Sequence, residues 1–201
     1  MVTKTNFSVP TVLLMFLALI GLIGVPGHPV SGQAPKTVLD YYLQLPNRYL
    51  FSGGDRAARM KLIKIQDVKN GYLRLEGDWE GFSEIALFRQ PNGTPLIVVT
   101  NAECGPGCTQ STYFLEFRDG QWVNRQAELF PLTRQQVVAE YRKSGLKTIE
   151  DFGDDLPYLI MLPRAGRVIK VIVQPEFTET EQTIMAFELK DGVFQRVLRT
   201  K

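Results

Sequence analysis

Apolar and polar residues alternate along most of the chain from residue 60 onwards, which is the period of β-strands with one buried face. These stretches are rich in β-branched and aromatic residues, and Gly-containing dipeptides separate them. The pattern predicts ten strands, near residues 60–66, 72–76, 83–89, 95–100, 110–118, 121–125, 157–162, 167–174, 183–190 and 193–198.

Gly-containing dipeptides also predict the turns between these strands. Asn-Gly and Asp-Gly tolerate the positive φ angles of type I′ turns, so they indicate hairpins. Short connections between successive strands predict an antiparallel meander. The turns are expected at Asn70–Gly71, Asn92–Gly93, Asp119–Gly120, Ala165–Gly166 and Asp191–Gly192.

Two segments have the period of an amphipathic helix instead. In residues 37–45 apolar side chains recur at i, i+3, i+4 and i+7, and a proline follows. In residues 133–144, Thr133 and Gln136 form a capping box, and Gly145 is typical of a helix end. The expected fold class is therefore α+β, a predominantly antiparallel curved β-sheet with two short helices packed on it.

A weak internal repeat links the two halves of the strand-rich region. Residues 116–122 (EFRDGQW) match residues 188–194 (ELKDGVF), and each copy places a large apolar pair across its turn. An internal duplication would cover about residues 82–125 and 156–198 and would make two four-stranded units. The alternative is that any two Asp-Gly hairpins look alike.

Residues 1–34 have the pattern of a secretory signal peptide. Lys4 is the single charged side chain among them, the apolar run covers residues 11–25, and small residues stand at positions −3 and −1 of a cleavage after Ala34. The run is shorter than the roughly 20 residues of a spanning helix, so we expect cleavage, with an uncleaved anchor as the alternative. Residues 35–201 are then a single exported domain without a membrane span, in the periplasm, a lumen or the medium.

Charge and histidine content exclude several function classes. The 201 residues carry 23 Lys and Arg against 21 Asp and Glu, so no strong basic field is expected to hold nucleic acid or an anionic membrane. His28 is the single histidine and lies in the predicted signal. Its removal excludes a Ser-His-Asp triad, a Cys-His dyad and His-ligated zinc, and no cofactor is predicted.

Cys104 and Cys108 flank a tight Gly-Pro-Gly loop between two predicted strands. In an oxidising compartment they are expected to form a structural disulfide. The alternative is a thiol-disulfide redox site, since the segment superficially resembles the CGPC of thioredoxins. The extra residue between the cysteines, the neighbouring Glu103 and the lack of a following helix argue against it.

The acidic stretch EGDWEG is the predicted ligand-binding loop, with Glu76, Asp78 and Glu80 around Trp79. Trp79 lies between polar and glycine residues, which favours an exposed ring that contacts a ligand. Three carboxylates offer oxygen ligands for calcium, but their spacing matches no calcium-loop motif, so no metal is predicted. A solvated acidic loop is the alternative interpretation.

A second acidic cluster comprises Glu150, Asp151, Asp154 and Asp155, and a solvated loop is again the simplest interpretation. Because paired carboxylates also serve glycoside hydrolases, a carboxylate-based hydrolase is a further hypothesis.

The segments NGYLRLEG, EGFSEIALFR, PLIVVT and CGPGC follow one another through the middle third of the chain. In this order they resemble uncharacterised exported bacterial proteins. The resemblance implies a bacterial exported domain and adds no activity and no site.

These observations lead to one favoured function and two alternatives. The favoured function is a non-catalytic domain that binds an unidentified protein, peptide or glycan in the bacterial cell envelope. The alternatives are a thiol-disulfide enzyme that uses Cys104 and Cys108, and a hydrolase that uses carboxylates.

Overall fold

Ten β-strands form two antiparallel sheets in the computed structural model, which describes residues 36–105, 107–148, 151–174, 177–178 and 181–197. The first sheet is six-stranded, in chain order, with β1 (Ile63–Asp67), β2 (Tyr72–Leu75), β3 (Gly81–Arg89), β4 (Pro95–Cys104), β5 (Cys108–Arg118) and β6 (Gln121–Asn124). The second sheet is four-stranded, in the order β10-β9-β8-β7, with β7 (Tyr158–Met161), β8 (Val168–Val173), β9 (Thr183–Lys190) and β10 (Val193–Arg196). The predicted signal peptide, residues 1–34, lies outside the described residues.

The predicted α+β fold is confirmed, and each of the ten predicted strands is present. The strands divide between two sheets, and β1 and β2 extend the first sheet to six strands. The predicted duplication remains a prediction. Each proposed copy contains four successive strands, with Phe117 opposite Trp122 in the first and Leu189 opposite Phe194 in the second.

Only two of the five predicted turns have positive φ angles at both positions, as type I′ turns require. In Asp119–Gly120 and Asp191–Gly192 both residues have positive φ. At Asn70–Gly71 the glycine alone does, because a 3₁₀ turn (Val68–Asn70) precedes it and Asp67 accepts a hydrogen bond from the Asn70 amide.

In the described part of the chain, four α-helices accompany the sheets: α1 (Val38–Tyr42), α2 (Arg56–Lys61), α3 (Gln126–Leu129) and α4 (Arg134–Ser144). The signals predicted for α4 are confirmed, with the Thr133–Gln136 capping box formed and Gly145 left-handed at φ 69°. None of the helices within the described ranges is long and apolar enough to span a membrane.

Helices α2 and α3 were not expected, and residues 60–62 were predicted as strand. Asp55 begins α2 by accepting a hydrogen bond from the Ala58 amide, and Arg59 holds the helix against α1. Arg59 is 7% exposed, and its guanidinium donates to the Tyr42 carbonyl oxygen at 2.9 Å and to Asn47 Oδ1 at 2.6 Å. This tertiary contact stabilises a helix too short to form alone.

Both faces of the first sheet are covered. Residues 38–50 cover one face and form a cluster of buried residues with it: Val38, Tyr41, Tyr42, Leu45, Tyr49, Leu50, Leu73, Leu75, Ile85, Ile97, Val99 and Leu115. The other face packs against the second sheet and α4, and aromatic rings join the layers, with Phe130 stacked on Phe114 at 5.0 Å and edge-on to Phe187 at 4.8 Å. The first sheet is therefore the middle layer of the domain.

Candidate functional site

The predicted disulfide is present at the end of the β4–β5 hairpin. The sulfur atoms of Cys104 and Cys108 are 2.00 Å apart. Cys104 ends β4, Cys108 begins β5, and the two form the pair nearest the turn. Both cysteines are half-buried. They lie on strands, away from the helix N-terminus that commonly lowers a thiol pKa, so the position is that of a structural link. Pro106, between them, lies outside the described residues.

Two glutamine side chains attach this hairpin to the second sheet. Gln174, which is 1% exposed, accepts the Cys108 N–H at 2.8 Å and donates to the Cys108 carbonyl oxygen at 2.7 Å. Gln110 on β5 makes the same pair of bonds with Ile160 on β7, at 2.7 and 3.0 Å. Each side-chain amide thus satisfies the N–H and the C=O of one backbone residue, as the backbone of a neighbouring strand would. The sequence analysis missed both glutamines, because a polar residue in a strand normally indicates a solvent-facing position.

The acidic loop does not gather its four predicted ligand-binding residues into one site. Glu76 is ion-paired with Arg74, with Arg74 Nε 2.9 Å from Glu76 Oε1. Glu76 and Asp78 line a shallow groove of about 810 Å³, whereas Glu80 and Trp79 do not border it. Lysine side chains also line this groove, so it has mixed charge.

The Trp79 ring is half-buried, in contrast to the exposed platform predicted from its polar neighbours. It lies over Gly77, where the Cβ of any other residue would come within 2.0 Å of the ring, and it stacks on Phe51 with centroids 5.0 Å apart. The absence of a side chain at Gly77 allows the ring to fold back onto its own loop. A contact between Trp79 and a ligand remains a prediction.

The second acidic cluster faces a different part of the surface. Asp154 Oδ1 accepts a hydrogen bond from Arg142 Nη2 at 2.8 Å, and Asp151 caps the Gly153 amide. Glu150 lies outside the described residues. Among the described side chains, no group of three or more His, Cys, Asp or Glu is placed to hold a metal ion.

A buried carboxyl that the sequence analysis did not select lies between the two sheets. Glu84 on β3 is 2% exposed and accepts hydrogen bonds from the Tyr72 hydroxyl at 2.6 Å and from the Leu162 N–H at 2.8 Å. Burial raises the pKa of Glu84, and the two hydrogen bonds and Arg74 oppose that rise. Burial also raises the pKa of Tyr72. Because Leu162 follows β7, this carboxyl connects the sheets.

An apolar groove opens between α4 and the β9–β10 edge of the second sheet, with a volume of about 410 Å³. This surface, called the α4 groove below, has an apolar floor made of Phe130, Leu132, Met185, Phe187 and Phe194. Polar groups form its rim. Arg196 at the end of β10 donates through Nη1 to Glu140 Oε2 at 2.9 Å, pairs through its other nitrogen with the same carboxylate, and so links the edge strand to α4.

Comparison with known proteins identifies a similar fold. A solved structure, a domain of an uncharacterized protein from Porphyromonas gingivalis W83, aligns with 81% of this chain and 98% of that chain, with a TM-score of 0.50 and 12% sequence identity. At this identity the likeness shows the fold alone. No model of a known protein family matches the chain, and no curated protein matches it.

Proposed function

We propose that this chain is an exported, non-catalytic binding domain of the bacterial cell envelope, and that its α4 groove receives an apolar side chain of a peptide ligand. The observation that carries the proposal is an apolar floor joined to a charged rim. A groove of about 410 Å³ lies within the range of roughly 300–1,000 Å³ typical of ligand sites.

The composition of the groove favours a peptide over a glycan. Glycan sites use exposed aromatic faces, whereas both tryptophans of the chain, Trp79 and Trp122, are half-buried. In the α4 groove the aromatic rings lie at the bottom, and Gln136, Lys143 and the Glu140–Arg196 pair surround them. Such a site buries an apolar side chain and offers hydrogen bonds to the backbone on either side of it.

Export is supported by the disulfide and by the signal-like pattern of residues 1–34. A disulfide persists in oxidising compartments, such as the periplasm or the extracellular space, and is rare in the cytosol. The resemblance to exported bacterial proteins agrees with this location.

The two catalytic alternatives receive less support. A redox site needs a thiolate-stabilising environment, whereas Cys108 is held by hydrogen bonds of its backbone to Gln174. A hydrolase needs two carboxylates facing one cleft. Glu76 and Asp78 do border one groove, but Glu76 is ion-paired with Arg74, lysine side chains line the same groove, and Asp154 borders a different one.

The test uses N-acetyl-phenylalanine amide and N-acetyl-leucine amide as probes, with binding followed by NMR of the purified protein. Saturable shifts at Leu132 and Met185 support the proposal. Replacement of exposed Ala139, which lines the groove on α4, by leucine fills the groove and is expected to abolish these shifts. Ala57→Leu, at an exposed position of α2, is the matched control.

Two results would overturn the proposal. The first is equal probe binding by Ala139→Leu and Ala57→Leu, which would place the probes elsewhere. The second is sustained turnover of an envelope peptide or glycan by the purified protein, which would show that the domain is an enzyme.

A further inference from the structure

Another groove, separate from the two described above, brings together four basic side chains from distant parts of the sequence. Lys36 precedes α1, Lys69 lies in the β1–β2 turn, Arg89 ends β3, and Arg167 lies in the β7–β8 loop. They line one groove of about 470 Å³, called the basic groove below. Its remaining lining is apolar or neutral, and no carboxylate borders it among the described residues.

The hydrogen bonds that these cations make go to neutral acceptors. Arg167 Nη2 donates to the Arg89 carbonyl oxygen at 2.9 Å, and Lys36 Nζ donates to Gln44 Oε1 at 3.0 Å. Within the described ranges none of the four forms an ion pair, although eight other basic side chains do: Arg74, Arg118, Arg125, Arg142, Arg164, Lys170, Lys190 and Arg196. Within the described part of the protein, none of the four is therefore held in a direct ion pair with a carboxylate.

Two acidic residues lie close in sequence to residues of the basic groove, and both already accept hydrogen bonds. Asp67 Oδ2 accepts from Arg164 Nε at 3.1 Å, and hydrogen bonds from Asn70 hold the pKa of Asp67 below its usual value. Asp40 accepts the Thr37 N–H at 2.9 Å, and this bond lowers its pKa as well. Arg164 offsets the charge of Asp67, whereas Asp40 interacts electrostatically with Lys36 and offsets part of its charge. The remaining positive charge of the basic groove therefore lies mainly on Lys69, Arg89 and Arg167.

We propose that the basic groove binds a phosphate group. A phosphate monoester carries close to two negative charges and three acceptor oxygens on one small tetrahedron. Arg89 and Arg167 can present forked N–H donors to such oxygens, while Lys36 and Lys69 add point charges. A single carboxylate carries one charge and would leave most of this positive charge unopposed. The chemistry fits a phosphate monoester on a soluble metabolite or glycan and a phosphate monoester in a lipid headgroup.

The expected affinity is modest and depends on salt. Lys69, Arg89 and Arg167 are exposed, so each contributes as a surface charge does. The Debye length falls from about 30 Å at 0.01 M to about 10 Å at 0.1 M ionic strength, so binding weakens over that range.

The experiment measures binding of inorganic pyrophosphate to the purified protein at low ionic strength, by calorimetry and by NMR. The groove variant Lys69→Gln/Arg89→Gln/Arg167→Gln is expected to bind about tenfold or more weakly. The control variant Lys61→Gln/Lys64→Gln/Lys147→Gln removes the same charge from exposed positions outside the groove. It is expected to retain the affinity of the parent protein.

Saturable NMR shifts at Gly71 and Gly166, lost in the groove variant alone, support the proposal. Equal weakening in both variants shows a response to net charge and overturns it, as does tighter binding of citrate than of pyrophosphate.

Two further probes distinguish the source of the phosphate. Glycerol phosphate represents a soluble ligand, and vesicles of equal parts phosphatidylcholine and phosphatidic acid represent a headgroup with a phosphate monoester. Groove-dependent binding of either probe supports the proposal and identifies the source. Failure of both overturns it and leaves the α4 groove untouched, since the two grooves share no residue.

Discussion

Gln174 holds the disulfide hairpin on the second sheet, and replacing it by glutamate tests that contact almost isosterically. One amide atom of Gln174 accepts the Cys108 N–H at 2.8 Å, and the other donates to the Cys108 carbonyl oxygen at 2.7 Å. In Gln174→Glu at neutral pH, a carboxylate can keep the first bond. Its second oxygen then faces the carbonyl oxygen without a proton between them.

The expected loss of stability at neutral pH is about 3 kcal/mol. Losing one hydrogen bond costs about 1 kcal/mol, and leaving a buried carbonyl oxygen unsatisfied costs about 1–3 kcal/mol more. The introduced charge lies at a position 1% exposed and has no cation partner among the described contacts, which adds a desolvation cost. Cys108 is half-buried, so water can reach part of the site. The cost of the unsatisfied carbonyl oxygen is therefore taken from the lower half of the range of about 1–3 kcal/mol. Gln174→Ala introduces no charge but loses both hydrogen bonds, so it is expected to cost about 3–4 kcal/mol, and this cost should not depend on pH.

The loss should disappear in acid, because a protonated carboxyl can donate to the Cys108 carbonyl oxygen as the amide does. Burial raises the folded-state pKa of the introduced group above its unfolded value of about 4.3. The folded variant therefore binds more protons than the unfolded chain between these two values. Its deficit is complete above the folded-state pKa, shrinks as the pH falls, and is gone below about pH 4.3.

Urea denaturation of the oxidised protein over a pH series measures this deficit as a difference from the parent protein. Gln195→Glu, at an exposed position of β10, is the control for the added charge. Our interpretation of the Gln174 contact is refuted if the Gln174→Glu deficit at neutral pH matches that of the control. A deficit that stays constant with pH refutes it as well.

Four further predictions follow from the fold. Cys104→Ser/Cys108→Ser should lower the free energy of unfolding by about 2 kcal/mol, because the disulfide closes a very short loop, as urea denaturation will show. Thr133→Ala should cost about 1 kcal/mol in the same assay, because it removes the α4 capping box. Burial raises the pKa of Glu84, so the parent protein loses free energy of unfolding as the pH rises above the ordinary carboxyl pKa of 4.5 and this carboxyl ionises. Glu84→Gln cannot ionise, so its free energy of unfolding should rise relative to that of the parent over the same pH range. The exported protein should begin at Pro35 in an intact-mass measurement, because a signal peptidase is expected to cleave after Ala34.

Each of these predictions has an outcome that contradicts it. A serine double variant that keeps full stability but loses an oxidoreductase activity would favour the redox alternative. Thr109→Ala, at an exposed strand position, is the control for Thr133→Ala and should change stability far less. A Glu84→Gln difference that is the same in acid and at neutral pH would contradict the buried-carboxyl argument. A mass that retains residues 1–34 would indicate an anchor.

The strands and the main helix could be predicted because their signals are local. Alternation within a strand depends on which face of that strand is buried, and the positive φ of Asp119–Gly120 and Asp191–Gly192 is a preference of those residues. The capping box of α4 is likewise formed between Thr133 and Gln136, three positions apart. The disulfide could be predicted because the two cysteines are near neighbours in the chain.

Helices α2 and α3 could not be predicted, because neither is long enough to carry a periodic signal. Helix α2 depends on the contacts of Arg59 with the Tyr42 carbonyl oxygen and the Asn47 side chain, which are more than ten positions away. The fold-back of Trp79 was missed for a similar reason, since its stacking partner Phe51 comes from another segment.

What the sequence alone determined is the fold class and the strand order, since these follow from residue periods of two and 3.6 and from turn chemistry. The tertiary structure alone decided which polar residues contact one another and which of them line a common groove. Gln174 looks like any polar residue beyond a strand until the disulfide hairpin is placed against it, and Lys36 and Arg167 are 131 positions apart in the chain yet line one groove. The physical reason is that composition averages charge over the whole chain, whereas recognition depends on the few groups that packing brings within a Debye length of one another.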